Sequence, residues 1–118
     1  MKHVLAVALL LNLLLEALAA FTMISSGLGA EGALPNGGWS MHYGFAVIAI
    51  ASASVWLWPR RSDLAALTPV VGILATFHVG VLISLLLAGD QAGGAAAHAV
   101  LSVLFCLSFA LRRKIASA

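Results

Sequence analysis

Residues 64–87 read LAALTPVVGILATFHVGVLISLLL and contain no charged side chain. A helix that crosses the hydrocarbon core of a bilayer needs about 20 mostly apolar residues, and this run meets that length. Three more apolar runs stand at about 4–25, 39–58 and 94–111. Lipid offers no partner for an open sheet edge, and the runs are too long for barrel strands. The pattern predicts an all-α membrane protein built as a four-transmembrane-helix, up-down bundle.

The composition of the whole chain agrees with that class. Of 118 residues, 63% are hydrophobic and 8% are charged, whereas soluble domains carry roughly 25% charged residues. So few charges cannot cover a water-exposed surface, which excludes a soluble enzyme, a nucleic-acid-binding protein and a disordered chain. We expect a single transmembrane domain over residues 1–118 with the lipid bilayer as its surroundings.

The charged residues predict the orientation in the membrane. The basic residues stand at the ends of the apolar runs: Lys2, Arg60, Arg61, Arg112, Arg113 and Lys114. One placement of the helices puts all of them on one side and leaves Glu31 and Asp90 on the other. The positive-inside rule then places both termini in the cytoplasm. With its short loops, the chain is expected in a bacterial cytoplasmic (inner) membrane.

The amino-terminal run also allows a second interpretation. Residues 1–19 have a basic start, an apolar middle and an Ala17-Leu18-Ala19 cleavage pattern, as secretory signals do. The apolar run continues through Ile24, which is longer than a signal needs. We therefore expect the segment to be retained as the first membrane helix.

Ionisable residues inside the predicted spans indicate a polar centre. A charged side chain in a membrane helix costs about 2.5 to 3.5 kcal/mol on insertion scales, so it suggests function. Counted at the helical rise, Glu16 and His78 both lie about 14 Å below the outer surface. With Asn12 in support, they are predicted to form a coupled pair of the kind that proton relays use.

The other histidines allow a metal or haem interpretation. His42 and His98 lie within about 4 to 7 Å of the same surface on that count. Together with His78 and Glu16 they offer ligands for a divalent metal such as Zn, Fe or Cu, although no local H-x-x-H spacing is present. Alternatively, His42 and His98 hold a b-type haem, whose propionates would then face a surface without cations. Cys106 is the one cysteine, so it forms no intrachain disulfide and is expected to be a small core residue.

The third run carries small residues at every fourth position: Gly72, Thr76, Gly80 and Ser84. Such stripes let membrane helices approach closely. His78 lies roughly opposite the stripe at 100° per residue. The stripe therefore packs either within the monomer or against a second protomer.

One resemblance supports the topology. Four short helices with a single membrane glutamate, Glu16, and the stretch 81–86 (VLISLL) resemble the small multidrug resistance transporters. The aromatic residues of that family's third helix fall here on positions such as Ile73 and Thr76, which are not aromatic. The resemblance implies a topology, and no family is assigned.

Two classes of function follow from these residues. The first is proton- or metal-coupled transport through the buried Glu/His centre. The second is a non-catalytic, haem- or metal-binding accessory subunit of a larger membrane complex. An enzyme is less expected, because the sequence offers no nucleophile–base set and no extramembrane domain to hold a soluble substrate.

Overall fold

Most of the described chain is helical. The computed structural model covers residues 2–29 and 35–117, with side chains described in 2–28 and 40–117. Its helices are α1 (Lys2–Gly29), α2 (Pro35–Leu57), α3 (Leu64–Ala88), α4 (Ala92–Ala110) and α5 (Arg112–Ala116), with a 3-10 turn at Trp58–Arg60. Within those ranges there is no strand.

The four long helices are each long and apolar enough to span a membrane. The all-helical class is therefore confirmed for the described residues, and the four candidate spans suggest a multi-pass membrane protein. The up-down order of all four helices and the side on which the termini lie stay predictions.

The connection between α1 and α2 is shorter than the sequence predicts. α1 continues to Gly29 and α2 begins at Pro35, so both helices extend into the glycine-rich stretch. Proline suits the first position of a helix, because its missing N–H would have no helical partner there. Glu31, an outer-side acid in the topology prediction, falls outside the described residues.

The described residues fall into two compact units, one of 2–9 and 57–117 and one of 10–29 and 35–56. Whether the chain forms a single domain, as expected, stays a prediction. In the first unit α3 and α4 run antiparallel, since Gly72 lies against Phe109 and Leu85 against Gly94. The buried residues of α3 are Leu67, Val71, Leu74 and His78, and those of α4 are Leu101, Ser102, Phe105 and Ser108. The α3 set follows the three- and four-residue spacing of a helix face, as do Leu101, Phe105 and Ser108 of α4, and Ser102 widens that face.

In the second unit α1 and α2 approach closely at Gly44. A Cβ atom on Gly44 would lie 2.6 Å from Ile24 Cγ1 and 3.1 Å from the carbonyl oxygen of Ala20. Nearby, the Ser40 hydroxyl donates a hydrogen bond to the Met23 carbonyl at 3.0 Å. The absence of a side chain at Gly44 therefore sets the distance between these two helices.

Both ends of α3 are capped by residues suited to that role. Asp63 Oδ1 accepts hydrogen bonds from the backbone N–H groups of Ala65 (2.9 Å) and Ala66 (3.4 Å). Gly89 adopts φ 73°, a left-handed conformation that favours glycine, and its N–H donates to the Leu85 carbonyl. These caps satisfy backbone groups that a helix end otherwise leaves without partners.

Cys106 is exposed on α4 rather than buried. The expectation of a core residue was wrong. A helix that is apolar on all sides has no difference in polarity between its faces, so its sequence does not show which face is buried.

Candidate functional site

His78 and His98 face each other between α3 and α4. Their Nδ1 atoms lie 2.9 Å apart, and the ring centroids are 5.1 Å apart. The His78 side chain is fully buried, and His98 is partly buried near the start of α4. Both residues were predicted from the sequence as candidate site residues, but their contact with each other was not predicted.

Two phenylalanines fix the orientation of these rings. Phe105 stacks on His78 with a centroid distance of 5.3 Å and an interplanar angle of 2°. Phe77 contacts both imidazoles edge-on, at 5.1 Å from His78 and 6.1 Å from His98. The histidine pair therefore sits in an aromatic, apolar environment, where a hydrogen bond is stronger than in water.

The short distance constrains the number of protons on the pair. A contact of 2.9 Å between two ring nitrogens is a hydrogen bond, so one Nδ1 carries hydrogen and the other accepts it. If both rings were imidazolium ions, both Nδ1 atoms would be donors and the contact would be lost. The geometry thus admits the neutral pair or the pair with one added proton.

Asn12 and Glu16 occupy the buried face of α1. Asn12 Nδ2 donates to Ser54 Oγ at 2.9 Å and to the Ile50 carbonyl at 3.0 Å, which links α1 to α2. Glu16 lies one helical turn further along and is 3% exposed. Asn12 therefore acts as an interhelical contact, and Glu16 is a buried carboxyl on the same face.

The remaining predicted ligand, His42, is exposed on α2. The haem interpretation, which pairs His42 with His98, stays a prediction. A Soret band in the visible spectrum of the purified protein would support it.

The predicted packing stripe divides into two parts. Gly72 lies against Phe109, whose Cε2 would be 3.3 Å from a Cβ atom on the glycine. Thr76, Gly80 and Ser84 are exposed in the chain, and nothing lies within 4 Å of a Cβ built on Gly80. Whether the stripe serves a second protomer stays a prediction.

Four residues on these faces were not predicted from the sequence: Phe77, Phe105, Ser102 and Ser54. Phe105 and Ser102 follow His98 by seven and four positions, so helical spacing alone would have placed them on its face. Ser54 had no such signal, because its pairing with Asn12 depends on how α2 is rotated against α1.

Comparisons with protein-family models, with curated proteins and with solved structures found no match. Hypotheses on the function of this chain therefore rest on its own residues and their geometry.

Proposed function

We propose that this protein is a small multi-pass protein of the bacterial cytoplasmic membrane whose buried Glu/His centre carries protons in coupled transport. The observation that carries the proposal is the 2.9 Å contact between His78 and His98 Nδ1. A buried imidazole pair in a candidate membrane span suits proton transfer, because each ring has one nitrogen that can accept a hydrogen and one that can donate it.

Glu16 is proposed as the acidic partner of this centre. It is buried, and the sequence puts it at the same depth as His78. A carboxyl group in a membrane span generally faces the interior of the helix bundle and finds a partner there. Glu16 is in this proposal the group that exchanges a proton with the histidine pair.

The experiment is a proton-flux assay in liposomes containing the purified protein and a trapped pH-sensitive dye. We expect His78→Gln, His98→Gln and Glu16→Gln to abolish the flux that the wild-type protein supports. His3→Gln is the matched control, because His3 is exposed and belongs to no part of the proposed centre. Flux that persists in all three variants, or that is absent from the wild type, contradicts the proposal.

A second candidate is divalent metal binding by the same side chains. The observation in its favour is that the Nδ1 atoms of two imidazole rings, His78 and His98, lie only 2.9 Å apart. Tetrahedral zinc with Zn–N bonds of about 2.0 to 2.1 Å needs its nitrogens roughly 3.4 Å apart, so the rings would have to separate by about 0.4 Å. The observed distance of 2.9 Å fits a hydrogen bond without any movement of the rings. We therefore rank proton transfer above metal binding as the function of this centre.

Metal titration separates the two candidates. One Co²⁺ or Zn²⁺ bound per chain would favour metal binding as the function, provided that binding is lost in His98→Gln and retained in His3→Gln. Failure of either ion to bind would leave the proton-carrying centre as the proposal.

Orientation and assembly belong to the same proposal. Both termini are placed in the cytoplasm by the positive-inside rule. Thr76, Gly80 and Ser84 are proposed to contact a second copy of the chain or another subunit of a membrane complex, because they form an exposed small-residue face. Labelling of a cysteine introduced at Ser117, in a Cys106→Ala background, tests the orientation in inside-out and right-side-out vesicles.

A further inference from the structure

Two serines of α4, Ser102 and Ser108, differ from the exposed hydroxyl-bearing residues that bond to their own helix. Among the described side chains, five exposed hydroxyls donate to a carbonyl three or four positions earlier in their own helix: those of Thr22, Ser26, Ser52, Thr68 and Thr76. The hydroxyls of Ser102 and Ser108 are buried and have no hydrogen-bond partner among the described residues. Their side chains are 6% and 1% exposed.

A buried hydroxyl without a partner is costly, and each such group in a folded protein calls for an explanation. The usual remedy was within reach, because a serine in a helix can donate to its own backbone. Ser102 and Ser108 do not make that bond. Their hydroxyls are instead available to another polar group.

Their positions connect them with the histidine pair. Ser102 follows His98 by one helical turn, about 6 Å along the axis, and shares its face of α4. It also stands on the same face as Phe105, whose ring stacks on His78. Ser108 lies about 9 Å further along α4, close to the end that bears Arg112.

The buried side chains of α3 that precede His78 offer these hydroxyls no polar partner. Between the start of α3 and His78, its buried residues are Leu67, Val71 and Leu74, which are apolar. Among the buried side chains of α3 and α4 on this stretch, the polar ones are therefore Ser102 and Ser108.

We propose that Ser102 and Ser108 bind internal water molecules that connect the His78–His98 pair with the end of α4 at Arg112. At ordinary hydrogen-bond spacing, the step of about 9 Å between the two serines takes about two waters, and the steps of about 6 Å from His98 to Ser102 and from Ser108 to Arg112 take about one each. A proton moves along this chain when each water and each hydroxyl accepts one hydrogen and passes on another. No group changes its total hydrogen count, and the histidine pair gains or loses the one proton. This role in proton passage rests on the proposed function, whereas the bound water does not.

The test is water-edited solid-state NMR of the histidine ring nitrogens, with the protein in lipid bilayers. We expect magnetisation to pass from water to the His78 and His98 rings in the wild type and to be lost in Ser102→Ala/Ser108→Ala. Ser102→Thr keeps a hydroxyl and should retain the transfer. Ser52→Ala is the matched control, because the Ser52 hydroxyl is exposed and bonds to its own helix.

The outcomes are distinguishable from those of the flux assay. Transfer that is absent in the wild type, or unchanged in the double alanine variant, overturns the water path. Transfer that is present and serine-dependent while no proton flux is found leaves the water path standing and overturns the transport proposal. If the double variant fails to fold, the same transfer from water is measured to the Ser102 and Ser108 side chains of the wild type. Transfer to these side chains supports the water path, and its absence overturns it.

Discussion

His78 on α3 and His98 on α4 are twenty positions apart in sequence, and their Nδ1 atoms are 2.9 Å apart. The antiparallel packing of the two helices brings them to the same level, and the stacked Phe105 ring holds the plane of His78. This contact is the basis of the functional proposal, and it can be observed directly.

The hydrogen bond between the two imidazoles should be visible by NMR. We expect a scalar coupling between the two Nδ1 nuclei in ¹⁵N-histidine-labelled protein, because they share one hydrogen. The coupling should vanish in His98→Phe, which keeps an aromatic ring but removes the nitrogen. Two uncoupled Nδ1 resonances in the wild type would contradict the shared proton.

The contact between Asn12 and Ser54 should contribute measurably to stability. Hydrogen bonds between membrane helices average about 0.6 kcal/mol in double-mutant cycles and reach about 1.7 kcal/mol. We expect a coupling free energy in that range for Asn12→Ala and Ser54→Ala, measured by unfolding in mixed micelles. Additive effects of the two substitutions would show that the bond at 2.9 Å adds nothing.

Gly44 should be intolerant of a methyl group. Gly44→Ala puts a Cβ 2.6 Å from Ile24 Cγ1 and 3.1 Å from α1 backbone atoms, so the helices must separate. Overpacking costs about 1 to 3 kcal/mol, which outweighs the gain of about 1 kcal/mol from replacing glycine by alanine in a helix. We expect a lower thermal midpoint for this variant.

Gly80 provides the matched control for that substitution. Nothing lies within 4 Å of a Cβ atom built there, so Gly80→Ala should leave the thermal midpoint of the monomer unchanged or raise it. Equal effects at the two positions would argue against a close approach at Gly44.

The turn before α3 should make stability depend on acidic pH. The hydrogen bond from Arg60 at 2.7 Å, and those from the Ala65 and Ala66 N–H groups, hold the pKa of Asp63 below its ordinary value of 3.8. Because the folded pKa is the lower one, the stabilisation is present above the unfolded pKa and is lost as the pH falls through the folded pKa.

Thermal midpoints measured against pH test this point. Asp63→Ala should melt below the wild type at neutral pH, and the difference should shrink as the pH falls below 3.8. Asp90→Ala removes the same charge from the turn between α3 and α4 and serves as the control. A difference that does not change with pH would mean that the Asp63 carboxylate is not responsible.

The amino-acid sequence by itself determined that the chain is helical, how many spans it offers, and which polar side chains would interrupt them. These properties are local in sequence. Runs of apolar residues, and the polar residues within them, can be identified without knowing which helices pack together. Glu16, Asn12 and His78 were recognised in this way, and all three are buried.

Only the tertiary structure decided which polar groups meet. A helix that is apolar on all sides shows no stripe that fixes its rotation, so its sequence does not tell which face turns inward. The register between α3 and α4 gave His78 its partner in His98. The rotation of α2 against α1 brought Ser54 to Asn12 and left His42 exposed. In lipid, close packing and a few hydrogen bonds determine the rotation and register of the helices. Both kinds of contact depend on residues that are distant in sequence.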